Sequence, residues 1–164
     1  MKYYGHTSLA SFLKVILNAL IVLGAAVFLT VLGRAVINEG KELLNVTTII
    51  TCILFITGGF SLLAIMYNLR KIITSLIKVT PFIKENIKSL KDIAMYCFII
   101  TACYVINFFV NGQYKNFIFV EIDKYGVHTD IEFLIFFFAG CFIMILSEVF
   151  KQAVEVKEEN DFTI

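Results

Sequence analysis

The sequence predicts an all-α membrane protein, a four-transmembrane-helix bundle, and three observations predict it. The hydrophobic fraction is 59% and the charged fraction only 16%, against about 45–50% and about 25% in soluble domains. A chain of 164 residues leaves too much of its surface facing water to hide such an excess. The apolar residues are also gathered into four stretches of near-membrane length, and Lys and Arg are divided unevenly between the segments that separate them.

A helix needs about 20 predominantly apolar residues to cross a hydrocarbon core of roughly 30 Å. The first span, 15–33, is free of charge between Lys14 and Arg34, and the second, 46–69, ends at Arg70-Lys71. The third, 93–114, lies between Asp92 and Lys115. The fourth is uncharged only between Glu132 and Glu148, but continued through Val149 and Phe150, as 133–150, it reaches about 27 Å. Gly24, Gly58, Gly59 and Gly140 and the many β-branched and aromatic residues do not argue against helix here, because in lipid a segment must satisfy its own backbone hydrogen bonds. Uninterrupted runs of this length exclude an outer-membrane barrel, whose strands alternate over about 10 residues. The first span is too long for a signal-peptide core and three more follow it, so it is expected to be retained.

Orientation follows from the basic residues. Ten of them fall on one side: Lys2, Lys14, Arg70, Lys71, Lys78, Lys84, Lys88, Lys91, Lys151 and Lys157. Four fall on the other: Arg34, Lys41, Lys115 and Lys124. The positive-inside rule then places both termini and the central segment in the cytoplasm.

The segment 70–92 reads as a cytoplasmic helical hairpin. Ile72/Leu76 and Ile73/Ile77 keep one face apolar at i, i+4 spacing. Thr80-Pro81 predicts a helix start, with a hydroxyl N-cap and proline at the first helical position. Phe82, Ile83, Ile87, Leu90 and Ile93 form a second apolar stripe, so spans two and three should run beyond the membrane and meet near Val79-Thr80. The lysines and arginine of this hairpin either fix topology and hold anionic lipid or bind a specific ligand. The outer loop, 111–132, carries a β-branched and aromatic run over 117–123 followed by Lys124-Tyr125-Gly126, the pattern of a short strand or hairpin. His128 stands there among Glu121, Asp123, Asp130 and Glu132; one histidine with scattered carboxylates suits a solvated loop, and no metal is assigned.

In the tail, 151–164, Val149, Phe150, Ala153 and Val154 continue one helix face. Glu155, Glu158, Glu159 and Asp161 make its end acidic, and Asn160-Asp161 predicts a helix stop. Such a tail either covers the basic hairpin or engages a basic DNA-binding partner.

Within the spans, Asn107 and Asn111 share a helix face, to line a cavity or bond to a neighbouring helix. Glu148 lies at the cytoplasmic boundary, where a carboxylate needs a partner, water or a proton. Lys14, Arg70 and Lys71 stand at a similar depth as partners. Nothing charged lies deeper, which argues against a proton pump or an ion-selective pore. Cys52, Cys97, Cys103 and Cys141 sit in apolar runs with no metal or disulfide spacing and read as packing residues. His6 and His128 lie on opposite sides of the membrane, so no catalytic constellation and no cofactor site is assigned.

Two segments carry a resemblance. Pro81-Phe82-Ile83-Lys84-Glu85-Asn86-Ile87-Lys88-Ser89-Leu90-Lys91 and the terminal segment 147–164, closing on Glu159-Asn160-Asp161-Phe162-Thr163-Ile164, resemble bacterial four-helix membrane proteins catalogued as a domain of unknown function, with their PF-x-x-EN-x-x-x-L motif and EN-D-L-T-I-like ending. Phe162 stands where that family more often has leucine. The resemblance implies four spans and a cytoplasmic tail and no established activity. It also implies frequent encoding beside a small Cro-like helix-turn-helix regulator.

The function expected is therefore a non-enzymatic membrane sensor or regulator that touches membrane lipid and a cytoplasmic regulator protein, with no direct contact to nucleic acid. Its candidate contacts are Arg70, Lys71, Lys84, Lys88 and Lys91 on the hairpin and Glu148, Glu155, Glu158, Glu159 and Asp161 on the last helix. The alternative is a small transporter, channel or immunity-type protein for a solute or peptide, with the Asn107/Asn111 face as its path. Four spans are few for a carrier unless copies assemble, which leaves a homo-oligomer open.

Overall fold

The computed structural model describes residues 9–38, 45–78, 80–116, 119, 121–123, 126–128 and 131–161. Four long helices make up nearly all of it: α1 (Leu9–Asn38), α2 (Val46–Ile77), α3 (Lys84–Val110) and α4 (Glu132–Asp161). The predicted class holds, an all-α four-helix bundle, and every helix begins or ends beyond the apolar stretch that predicted it. Between α3 and α4 lie a 3-10 turn (Gln113–Asn116) and two three-residue strands, β1 (Glu121–Asp123) and β2 (Gly126–His128). The strands pair antiparallel with Ile122 opposite Val127.

Local chemistry explains most boundaries. The side chain of Asn45 accepts from the backbone N–H of Thr47 and caps α2. Gly112 takes φ +66 just past the end of α3, a left-handed conformation natural to glycine after a helix C-terminus. The third helix therefore stops at Val110 and not at 114. The start of α3 corrects a second expectation. Its N-cap is Ile83, which has extended dihedrals and no side-chain cap bond, so Thr80 and Pro81 belong to the turn. The carbonyl of Pro81 is taken by a side chain from inside α3, which holds the turn open for three further residues.

The helices lie in sequence order as a row. α3 packs against both α2 and α4, α2 also packs against α1, and α1 approaches neither α3 nor α4 among the described residues. Accordingly 22% of the most apolar window of α3 is buried, against 6% for α1, 6% for α2 and 11% for α4. The buried face of α3 (Asn86, Ser89, Leu90, Ile93, Ala94, Cys97, Ile100) recurs every three or four residues, as one helical stripe must.

Both apolar clusters sit toward the end where α2 turns into α3, hereafter the hairpin end. One joins Ala10 and Leu17 of α1 to Ile73 and Ile77 of α2. The other joins Ile72, Leu90, Ile93 and Cys97 and is backed by Ile143, Leu146 and Phe150 of α4. Small polar residues line the contacts, with Ser61, Asn68, Ser75, Ser89 and Ser147 all buried. That is the composition of helix interfaces in lipid, where close backbone approach rather than water exclusion holds helices together. Gly140 is one such approach: a Cβ there would stand 2.8 Å from Phe98 Cε1 and 3.2 Å from Cys97 Cβ. Toward the opposite end, hereafter the loop end, the helices expose Leu29, Phe109, Ile135 and Phe138.

Candidate functional site

At the hairpin end the turn is organised by Asn86, which is only 2% exposed. Its Nδ2 donates to the Pro81 carbonyl at 2.6 Å and to Ser75 Oγ. Ser75 in turn donates to the Ile72 carbonyl at 2.7 Å, and the backbone N–H of Thr80 reaches the Ser75 carbonyl at 3.0 Å. One side chain thus links the last turn of α2, the connection and the first turn of α3. Phe82 leaves this turn to lie against Phe150 of α4, ring centroids 5.5 Å apart. Asn86 and Ser75 were not among the candidates drawn from the sequence. The signal was present in the motif that carries the resemblance, but nothing local says that an asparagine two residues inside a helix is buried.

The charged candidates divide between helices. Lys91 pairs with Glu148 at 2.8 Å and Lys84 with Glu158 at 2.9 Å. The partner of Glu148 is therefore Lys91, not Lys14, Arg70 or Lys71. The reason is the row: α4 packs on α3, and α2 lies on the other flank of α3. Within α4, Lys151 approaches Glu155 at 3.9 Å. Glu158, bonded to the ammonium of Lys84, raises that group above the ordinary lysine value. The acidic tail thus lies along the lysines of α3. Glu155 and Glu159 are exposed, and the side chain of Asp161, like residues 162–164 and His6, lies outside the described residues.

On α2 the cations are not neutralised this way. Arg70, Lys71 and Lys78 have no ion pair among the described residues. The Lys71 ammonium sits 4.7 Å from the Tyr67 ring centroid, a cation–π contact. Arg70 Nε is buried without a hydrogen-bond partner among the described residues. The α3–α4 pairs are half exposed and add little to stability. Lys84→Ala should therefore leave the melting temperature of the solubilised protein unchanged while speeding amide exchange over 155–161, read by hydrogen-exchange mass spectrometry. Equal protection of 155–161 in both proteins would show that this pair does not hold the tail.

The second site is a groove of about 430 Å³ between α2, α3 and the start of α4, toward the loop end. Phe55 and Gly58 of α2, Cys103, Tyr104 and Asn107 of α3 and Phe136 of α4 line it. Tyr104 stacks on Phe136, centroids 6.0 Å apart. Asn111 Nδ2 donates to Asn107 Oδ1 at 2.8 Å, to the Asn107 carbonyl at 3.2 Å and to Thr51 Oγ1 of α2 at 3.3 Å. Asn107 thus lines the groove, and Asn111 reaches a neighbouring helix. The groove lining carries no charged side chain.

No curated protein and no solved structure matches the chain. Four helices long and apolar enough to cross a membrane, with mean hydropathy from 2.1 to 2.7 in their most apolar windows, make it a multi-pass membrane protein. A family match covers residues 36–164, which takes in the whole of α2, α3 and α4 and with them the Asn86 turn, both α3–α4 ion pairs and the groove. The chain belongs to the family described as "Protein of unknown function (DUF2975)".

Proposed function

We propose that the protein is a non-enzymatic sensor or regulator of the bacterial cytoplasmic membrane, with both termini and the hairpin end in the cytoplasm, and that this end contacts a cytoplasmic protein. The observation that carries the reading is the ordered, charged surface that the helices build beyond their apolar stretches. The last helix runs on to Asp161, held to α3 by Lys84–Glu158, Lys91–Glu148 and the Phe82–Phe150 contact. Crossing a bilayer does not require such an extension. Its outer face presents Glu155, Glu159 and the exposed Val156, an acidic surface with an apolar patch. Arg70, Lys71 and Lys78 form a separate basic edge on α2, suited to the anionic lipid of the inner leaflet.

An acidic, partly apolar face suits a small basic protein, and a helix-turn-helix regulator is of that kind. The ten basic residues on this side against four on the other support the orientation. The test is co-purification of the detergent-solubilised full chain with a small basic helix-turn-helix protein of the same cell. Recovery that is lost on deleting residues 157–164 supports the reading. Recovery that survives the deletion removes the tail from the contact, and no recovery with the full chain overturns the proposal.

The groove favours a second reading, a small transporter, channel or immunity-type protein for a solute or peptide. An uncharged, largely aromatic and aliphatic lining suits an apolar cargo better than an ion.

A further inference from the structure

The groove has a direction. Thr51 and Asn107 stand at its loop-end mouth, and Gly58, Cys103, Ile100 and Leu62 follow toward the middle of the helices. From Thr51 to Leu62 the lining runs about 17 Å along α2. Polarity therefore falls from the membrane boundary toward the midplane, as it does along a lipid within one leaflet.

The mouth also holds donors without acceptors. Asn111 Nδ2 bonds to the backbone carbonyl of Asn107, which can only accept, so the amide orientation of Asn111 is set. The Asn107 atom that accepts from it at 2.8 Å is then Oδ1. Asn107 Nδ2, on the opposite side of that amide, has no partner among the described residues. Thr51 Oγ1 accepts from Asn111, and its own proton is not donated to any described group. Unmet donors at the edge of an apolar cleft in a bilayer call for an acceptor that arrives with apolar matter attached.

We propose that the groove holds one hydrocarbon chain of a membrane lipid, with the ester carbonyl of that chain accepting from Asn107 Nδ2 and the Thr51 hydroxyl. The aromatic walls of Phe55, Tyr104 and Phe136 and the open floor at Gly58 give the chain its channel. The uncharged lining directs recognition to the neutral ester linkage and not to a phosphate. Water would meet the two donors but would leave the apolar length below them unfilled. The helices of a second copy bring few free acceptors, because their backbone carbonyls are already bonded. This inference stands on the groove alone and does not depend on the cytoplasmic partner.

The test uses the full chain in vesicles of phosphatidylglycerol and phosphatidylethanolamine, doped with a phospholipid that carries a diazirine on one ester-linked acyl chain. After irradiation, adducts are mapped by mass spectrometry. Adducts should concentrate on 54–62 and 100–104 over the exposed Val22 and Phe142. A Cβ at Gly58 meets nothing within 4 Å, so the side chain of Gly58→Leu starts into the groove without a clash at its first carbon. It should cut groove adducts by about fivefold or more and leave those at Val22 and Phe142 unchanged, a factor of the order of one net hydrogen bond or a few buried methylenes. An ether-linked analogue should label the groove several-fold less; Asn107→Leu should shrink that difference, and Asn107→Leu with Thr51→Val should erase it. Where Gly58→Leu yields no monodisperse protein, competition by excess unlabelled ester lipid against wild type supplies the same readout. Groove labelling no higher than at Val22 and Phe142, or labelling unmoved by filling or competition, overturns the proposal. Equal labelling by ester and ether lipids overturns the role given to Asn107 and Thr51.

Discussion

Replacing Asn86 with alanine is expected to destabilise the protein by about 2–3 kcal/mol, because the buried Ser75 hydroxyl and the partly buried Pro81 carbonyl lose their donor at once. The Pro81 carbonyl and Ser75 Oγ both accept from Asn86 Nδ2, and the site is too closed for water to replace it, with Asn86 2% and Ser75 6% exposed. For a chain of this size that corresponds to a fall of roughly 5–10 °C in melting temperature, read by thermal unfolding of the detergent-solubilised protein. Ser75→Ala should cost less in the Asn86→Ala background than alone, since residues that share a bond are not additive. Damage should extend to α4, because Phe82, which contacts Phe150, leaves the same turn. A melting temperature unchanged by Asn86→Ala would show that the side chain does not hold the connection.

Gly140→Val is expected to have an effect of similar size by the opposite route, overpacking. Gly140 is buried where α4 meets α3, and the first added carbon already falls within 2.8 Å of Phe98 and 3.2 Å of Cys97 Cβ. The ring of Phe98 can give way only by shifting against Phe137, whose centroid lies 6.1 Å from its own. The Cβ of Cys97 moves only with the α3 backbone. Forcing atoms into such a contact costs about 1–3 kcal/mol, and valine should reach the upper part of that range. The helices should part enough to break Lys91–Glu148 and Lys84–Glu158, loosening the tail along with the core. Shortening the obstructing ring, as Gly140→Val with Phe98→Ala, should restore part of the lost stability. Wild-type melting in the single variant, or no recovery in the double, would refute this account of the α3–α4 contact.

The groove and the hairpin-end site differ in how visible they were in the sequence. Asn107 and Asn111 were legible as a shared face, because i, i+4 spacing is a property of one helix and survives whatever that helix packs against. Glu148 was legible as a boundary carboxylate in need of a partner, for the same local reason. Its partner was not: Lys14, Arg70 and Lys71 are the cations that stand at a similar depth in the sequence, and the packing of α4 on α3 selects Lys91 instead. The helix start at Thr80-Pro81 satisfied every local rule and still failed. The buried amide of Asn86 takes the Pro81 carbonyl, and α3 then begins at Lys84.

The amino-acid sequence by itself determined that lipid is the solvent, that the chain crosses it four times, and that α2 and α3 run on into a hairpin. Those properties are sums over runs of about 20 residues, additive and insensitive to which neighbours the run acquires. Tertiary structure alone decided the row α1-α2-α3-α4, the pairing of α3 lysines with α4 carboxylates, and the groove beside Asn107. Each depends on how far one helix is rotated about its axis against another. That rotation is set by a few close contacts, such as Gly140 on Phe98 and Asn86 on Ser75, between residues distant in sequence or in a neighbouring element. No periodicity within a single helix encodes it.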